Sequence, residues 1–152
     1  MTARIRLFAR NCSRPPTFLA PFFFMTELLY TPEHQWLRLD DAASGLATVG
    51  ITPHAQDALG DIVFVRCPEI GQTLARNDVA AVIESVKAAA DVYMPVDGHI
   101  LQTNQDALQA DPALLNTDPL GAGWLFQIRL TRPEQVSELL SEAAYQALLK
   151  GG

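Results

Sequence analysis

Short runs that alternate polar and apolar residues, each stopped by a turn within a few positions, recur along the chain and point to stacked β-sheets. Gln35-Trp36-Leu37-Arg38-Leu39 is the first. Asp40-Asp41-Ala42-Ala43-Ser44-Gly45 supplies turn chemistry, with Asp40 and Asp41 read as a solvated pair, and Leu46 to Ile51 answers as a hairpin partner. Asp61 to Cys67, Val79 to Glu84, Ala90 to Met94, Gly98 to Gln102 and Trp124 to Leu130 bring the predicted strands to seven. Pro68-Glu69-Ile70-Gly71, Asn77-Asp78 and Pro95-Val96-Asp97-Gly98 separate them, with Gly71 and Gly98 read as turn glycines. Strands this short and this closely spaced predict a sandwich or flattened barrel rather than a βαβ sheet.

Two segments change period. Thr52 to Gly60 reads as one short helix: Thr52 is the N-cap, Pro53 suits the first helical position and Gly60 ends it. Near the C-terminus, Val136, Leu139, Leu140, Ala143, Ala144, Ala147 and Leu148 fall on one helical stripe. One helix, or two joined near Ser141, is expected to dock that stripe on the β core.

At 49% hydrophobic and 18% charged residues, the chain is too apolar for disorder. Its formal net charge of −6 argues against nucleic-acid or anionic-membrane partners, which require clustered Lys and Arg. Residues 1–24 stand apart, with Arg4, Arg6, Arg10 and Arg14 and no acidic residue. Three readings compete for them. An export signal would lack a long uninterrupted apolar run, because Pro21 breaks it, and a transit peptide would have its helix broken by Pro15 and Pro16. An upstream start or disordered tail, with a single domain over 25–152 beginning at Met25, fits best. The expected compartment is the cytoplasm, or the mitochondrial matrix if residues 1–24 are a transit peptide. No later segment has the length and apolarity of a membrane span.

Catalytic and metal signatures are missing from the sequence. His34, His54 and His99 lie far apart without a carboxylate or cysteine at ligand spacing. Cys12 and Cys67 form no C-x-x-C, and Cys67, ending an apolar strand, reads as a small core residue. Trp36 and Trp124 read as core too. One segment remains: Glu84-Ser85-Val86-Lys87-Ala88, between two strands. Only Lys87 and Lys150 are lysines in the whole chain, so an amine at a hairpin tip was not supplied as generic solubility. Its small and acidic neighbours leave room for an enzyme to grip the hairpin.

Glu84-Ser85-Val86-Lys87-Ala88, followed by Asp91 and Pro95-Val96-Asp97-Gly98-His99-Ile100, resembles the lipoyl-attachment motif of the glycine cleavage system H-protein family. His34-Gln35-Trp36-Leu37 resembles the family's His-Glu-Trp motif, with Gln35 where the family usually has Glu. Val49 to Val65, then Asn104, Leu115, Asn116, Pro119, Gly121, Gly123 and Trp124, and finally Leu139-Leu140 and Ala144 to Leu149 are similar to further family stretches, in order. The resemblance covers residues 28–149.

It implies a mainly β, flattened barrel-sandwich hybrid of two antiparallel sheets, of the lipoyl- and biotinyl-carrier type, with short helices and a C-terminal helical segment. It implies lipoate joined by an amide to Lys87, within the hairpin context of Glu84, Ser85, Val86, Ala88 and Asp91, and Gln35 as a contact of the arm. The implied role is a carrier and not an enzyme: a lipoyl-bearing shuttle taking an aminomethyl group from pyridoxal-phosphate-dependent glycine decarboxylase to a tetrahydrofolate-dependent aminomethyltransferase. Dihydrolipoyl dehydrogenase, an FAD enzyme, would reoxidise the arm, and a lipoyl-attaching ligase or transferase would install it. Two alternatives stay open: an H-like protein relaying lipoyl groups to other domains, and a biotin carrier, whose Met-Lys-Met motif differs from Val86-Lys87-Ala88.

Overall fold

Hairpins build most of the molecule, and in the computed structural model, which describes residues 28–151, they stack as two antiparallel sheets. Strands β1 (Leu28–Tyr30), β2 (Gln35–Asp41) and β3 (Leu46–Ile51) come first, followed by helix α1 (Pro53–Leu59). Next are β4 (Ile62–Arg66), β5 (Thr73–Leu74), β6 (Val79–Ser85), β7 (Ala89–Tyr93) and β8 (Gly98–Thr103). Helices α2 (Gln105–Ala110) and α3 (Leu114–Thr117) precede β9 (Phe126–Leu130); a 3₁₀ segment (Pro133–Glu138) and α4 (Glu142–Gly151) close the chain. The larger sheet has the order β1-β2-β3-β9-β8-β5 and the smaller one β4-β6-β7; the two are not closed into a barrel.

The core lies between the sheets. Leu37, Val49, Ile100 and Ile128 meet Val65, Ile83 and Val92 there, each at most 3% exposed. A second cluster lies between the larger sheet and α4, where Trp36 packs with Tyr30 and Tyr145 and its indole N–H donates to the Pro119 carbonyl at 3.0 Å. Trp36 is opposite Gly50 in the β2–β3 ladder, and a Cβ on Gly50 would lie 2.5 Å from the indole ring. Glycine is required here by the close approach of the ring, not by its backbone angles.

Several sequence expectations are corrected. Nine strands, not seven, are present among the described residues, because β1 and β5 are too short to show a pattern. Helices α2 and α3 also escape a periodicity search, being only six and four residues long. The C-terminal segment takes the expected alternative of two helical pieces joined near Ser141, but the stripe is not continuous across them. Leu140 pairs its N–H and C=O with Tyr30, both at 2.8 Å, which breaks the helix before Ser141. The anchor of α4 is then Tyr145, 3% exposed, while Ala143, Ala144, Ala147 and Leu148 face water. Gly98 is a strand residue rather than a turn residue: it pairs with Leu130, and a Cβ on it would sit 3.0 Å from the Ile128 methyl. Asp40 is no solvated turn residue, since it lies on β2 and accepts from Arg38 Nε at 2.7 Å. Trp36 and Cys67 are buried as expected, but Trp124 only half so. Burial pushes the Cys67 thiol up to about 11, so it is inert at neutral pH. Residues 1–24 and Cys12 lie outside the described residues. No described helix is long and apolar enough to cross a membrane.

Candidate functional site

The β6–β7 hairpin carries Lys87 at its tip. Two-residue hairpin turns normally take positive φ, which is why glycine and asparagine dominate them. Neither Val86 nor Lys87 adopts it. The turn is instead held by Ser85: its N–H donates to the Ala88 carbonyl at 2.8 Å, while its Oγ accepts the Ala88 and Lys87 N–H groups at 3.1 and 3.3 Å. A hydroxyl that gathers the loop's donors does what a glycine would otherwise do by conformation. Val86, Lys87, Ala88 and Ala89 are all exposed, as are Glu84 and Asp91.

One side of the tip is fixed to the loop after α1. The Val86 N–H donates to the Asp61 carbonyl at 3.0 Å. Thr52 caps α1 as expected, accepting from the Ala55 N–H at 3.2 Å, and Gly60 ends it with φ 78° and ψ −150°, a region open only to glycine. The Lys87 stem lies over this glycine; a Cβ there would sit 3.4 Å from Lys87 Cε. Asn116 clamps the same loop, its Nδ2 donating to the Gly60 carbonyl and to Gln56 Oε1 at 2.8 and 2.9 Å while its Oδ1 accepts the Ile62 N–H at 3.0 Å. Gly60 and Asn116 as supports of the lysine were not foreseen, because they reach it only through the fold.

Beside Leu59 and Gly60 a cleft of about 200 Å³ opens, with Ala55, Ala58, Leu59, Ile83 and Ala90 as apolar walls and Glu33, Gln35 and Asp91 also on its lining. Gln35 is 3% exposed, and both ends of its amide bond to Tyr93: Nε2 donates to the Tyr93 carbonyl and Oε1 accepts the Tyr93 N–H at 2.9 Å. It pairs with the free edge of β7 as another strand would. Gln35 lines the cleft with its amide bonded to Tyr93, and the carboxylates of this cleft are Glu33 and Asp91.

The histidines divide. His34 and His54 come together with ring centroids 4.4 Å apart, whereas His99 pairs elsewhere with Thr73 at 2.9 Å. No group of metal-ligating side chains assembles among the described residues. Tyr145 places its hydroxyl 2.8 Å from both His34 Nδ1 and Thr52 Oγ1, and its ring stacks on Tyr30 at 4.5 Å. Burial, and secondarily His54, lower the His34 pKa from its ordinary 6.5, with Glu33 opposing.

Comparison with known proteins falls in line with this geometry. The family profile described as glycine cleavage H-protein matches residues 28–152. A glycine cleavage system H protein of Psychrobacter sp. (strain PRwf-1) is 51% identical over 124 residues, which span 82% of this chain and 96% of the relative. A crystal structure of a glycine cleavage system H protein from Mycobacterium marinum superposes with a TM-score of 0.74 at 36% identity, covering 84% of this chain and 99% of that one.

Proposed function

Because the chain belongs to the glycine cleavage H-protein family, the lipoyl-bearing shuttles of the glycine cleavage system, we propose that Lys87 is the residue to which lipoate is joined. The observation that carries this is the placing of one of only two lysines at an exposed hairpin tip, its stem lying over a glycine. The other, Lys150, lies in the last turn of α4. The site fits the group: the amine is reachable, and the missing Cβ of Gly60 leaves a bed for the stem. When attached, lipoate supplies a dithiolane that opens and closes by two electrons and accepts a one-carbon fragment.

The chain's own residues then have distinct tasks. Ser85 and Asp61 hold the tip in place through the hydrogen bonds described above. Ala55, Leu59 and Ala90 present an apolar trough beside it, and Glu33 and Asp91 supply negative charge there. A trough of this kind suits an apolar chain that ends in a cation, since a charge-assisted contact outweighs a neutral one. With Gln35 occupied by Tyr93, the negative charge at this cleft rests on Glu33 and Asp91. The chain acts as a carrier, and the chemistry belongs to the partners: glycine decarboxylase, the tetrahydrofolate-dependent aminomethyltransferase, dihydrolipoyl dehydrogenase and a lipoyl-attaching enzyme. Tethering keeps the fragment at high local concentration between their sites. We place the chain with those partners in the cytoplasm.

The test is peptide mapping after lipoylation in lipoate-replete cells, with Lys87→Arg alongside. Lipoate on Lys87 alone, and loss of all glycine decarboxylase-coupled turnover in a normally folded Lys87→Arg, are expected. Lipoate on Lys150, or none on Lys87, would overturn the assignment.

A further inference from the structure

The cleft beside Gly60 is built from distant stretches of chain, and a hydroxyl of the C-terminal helix joins two of them. Ala55, Ala58 and Leu59 of α1 form one wall, while Glu33 and Gln35, on either side of His34, belong to another. Thr52 caps α1 through the Ala55 N–H, and its own N–H donates to the His34 carbonyl at 3.1 Å. Tyr145 adds a second tie between the same two walls, its hydroxyl lying 2.8 Å from Thr52 Oγ1 and 2.8 Å from His34 Nδ1. With His34 neutral, every bond in this chain has a donor: Ala55 N–H to Thr52, the Thr52 hydroxyl to Tyr145, the Tyr145 hydroxyl to Nδ1. Thr52 is wholly buried and Tyr145 is 3% exposed, so bulk water has little access to stand in for the hydroxyl. His34 is held at φ 68°, a conformation that a non-glycine residue keeps only where its surroundings enforce it. Fastening α4 does not itself call for this hydroxyl, since the buried Tyr145 ring already stacks on Tyr30.

We propose that the Tyr145 hydroxyl is a positioning group for the cleft: by bonding Thr52 and His34 it sets the separation of two walls, and so how long a loaded arm with a cationic end stays between them. The proposal rests on the reading of this cleft as the bed of an arm carried by Lys87. No residue of α4 lines the cleft, so Tyr145 acts only through the two residues it bonds. Without the hydroxyl, the Thr52–His34 backbone bond remains, and the loop carrying Glu33 and Gln35 gains freedom relative to α1. The C-terminal helix is thereby coupled to a site that it does not touch.

The experiment uses the full chain, lipoylated, loaded by glycine decarboxylase with glycine, and then freed of that enzyme. An aminomethyl thioether left in water takes up one water and yields the thiol, formaldehyde and ammonia. Two readouts are followed: ammonia release, and the movement of the Ala55 and Ala58 methyl NMR signals on loading. Tyr145→Phe keeps the stack and is expected to release ammonia about fivefold faster, with smaller methyl shifts, as fits the loss of one buried hydrogen bond. Tyr30→Phe alters the same stack but removes a hydroxyl that bonds Glu142 and neither wall, so it should match wild type in both readouts. Thr52→Ser keeps the bonded hydroxyl and should also match. Wild-type release and shifts in Tyr145→Phe would overturn the proposal. An equal acceleration in Tyr30→Phe would do so too, because it would mark a general loosening of α4. Methyl signals that ignore loading in wild type would instead overturn the cleft as the arm's bed, and lipoate found elsewhere than Lys87 would overturn the attachment point.

Discussion

Replacing Gly60 with alanine probes the support beneath the lysine, and its cost follows from two geometric facts. The residue has φ 78° and ψ −150°, where a non-glycine residue costs about 1–3 kcal/mol. Relaxation is blocked on both sides, because the Gly60 N–H donates to Gln56 at 3.0 Å and its carbonyl accepts from Asn116 at 2.8 Å. Against this, alanine restricts the unfolded chain and returns about 0.4–1 kcal/mol. The new methyl meets Lys87 Cε at 3.4 Å, the end of a flexible side chain that can move aside. The net loss is then about 1–2 kcal/mol, or a fall in Tm of about 3–10 °C for a domain of this size. Urea denaturation of both forms at pH 7.5 gives the difference directly, with the slope checked for constancy. A midpoint indistinguishable from wild type would refute the reasoning, because it would mean that this backbone conformation carries no strain. Lipoylation should still go to completion, since displacing the stem leaves the amine in solvent.

Gly50→Ala should be more damaging, about 3 kcal/mol by the same denaturation assay, because its methyl would lie 2.5 Å from the buried Trp36 ring. Tyr145→Phe keeps the stack on Tyr30 but strips a hydrogen-bond partner from the fully buried Thr52 and from His34. A loss of about 1–3 kcal/mol is expected, measured as a shift in urea midpoint. Burial holds the His34 pKa below 6.5 in the folded state, so the unfolded chain takes up its proton first as pH falls. The stability from neutral His34 is complete above about pH 6.5 and is lost as pH drops through the lowered folded value. Denaturation at pH 7.5 and 5.5 should show that decline, and His34→Asn, which tolerates the φ of 68°, should reduce it.

What could be read from sequence was mainly local. The Thr52 cap, Pro53 start and Gly60 stop of α1 need only neighbours along the chain, and the helix forms as expected. The Lys87 hairpin was equally legible, as two strand-forming runs around one long side chain. Features set by distant backbone were not. Leu140 fitted a helical stripe until Tyr30 took its N–H and C=O, and the true anchor, Tyr145, lay off that stripe. Gln35 looked like one polar face of an alternating strand, yet its amide completes the edge of β7 at Tyr93. The bulge at Val63 was hidden for a different reason: a β-branched apolar run reads as a buried strand whichever way its side chains turn.

The pairing of Tyr30 with Leu140 has a consequence for synthesis. Chains emerge N-terminus first, so β1 is available long before Leu140, the residue that covers its outer edge. Through most of translation that strand presents open N–H and C=O groups, a template for any other extended chain. The β6–β7 hairpin, by contrast, pairs within a single short stretch. Emergence of Leu140 thus closes the outer edge of β1. A nascent chain stalled before Leu140 would be prone to edge-to-edge association, although its lysine hairpin had already been made.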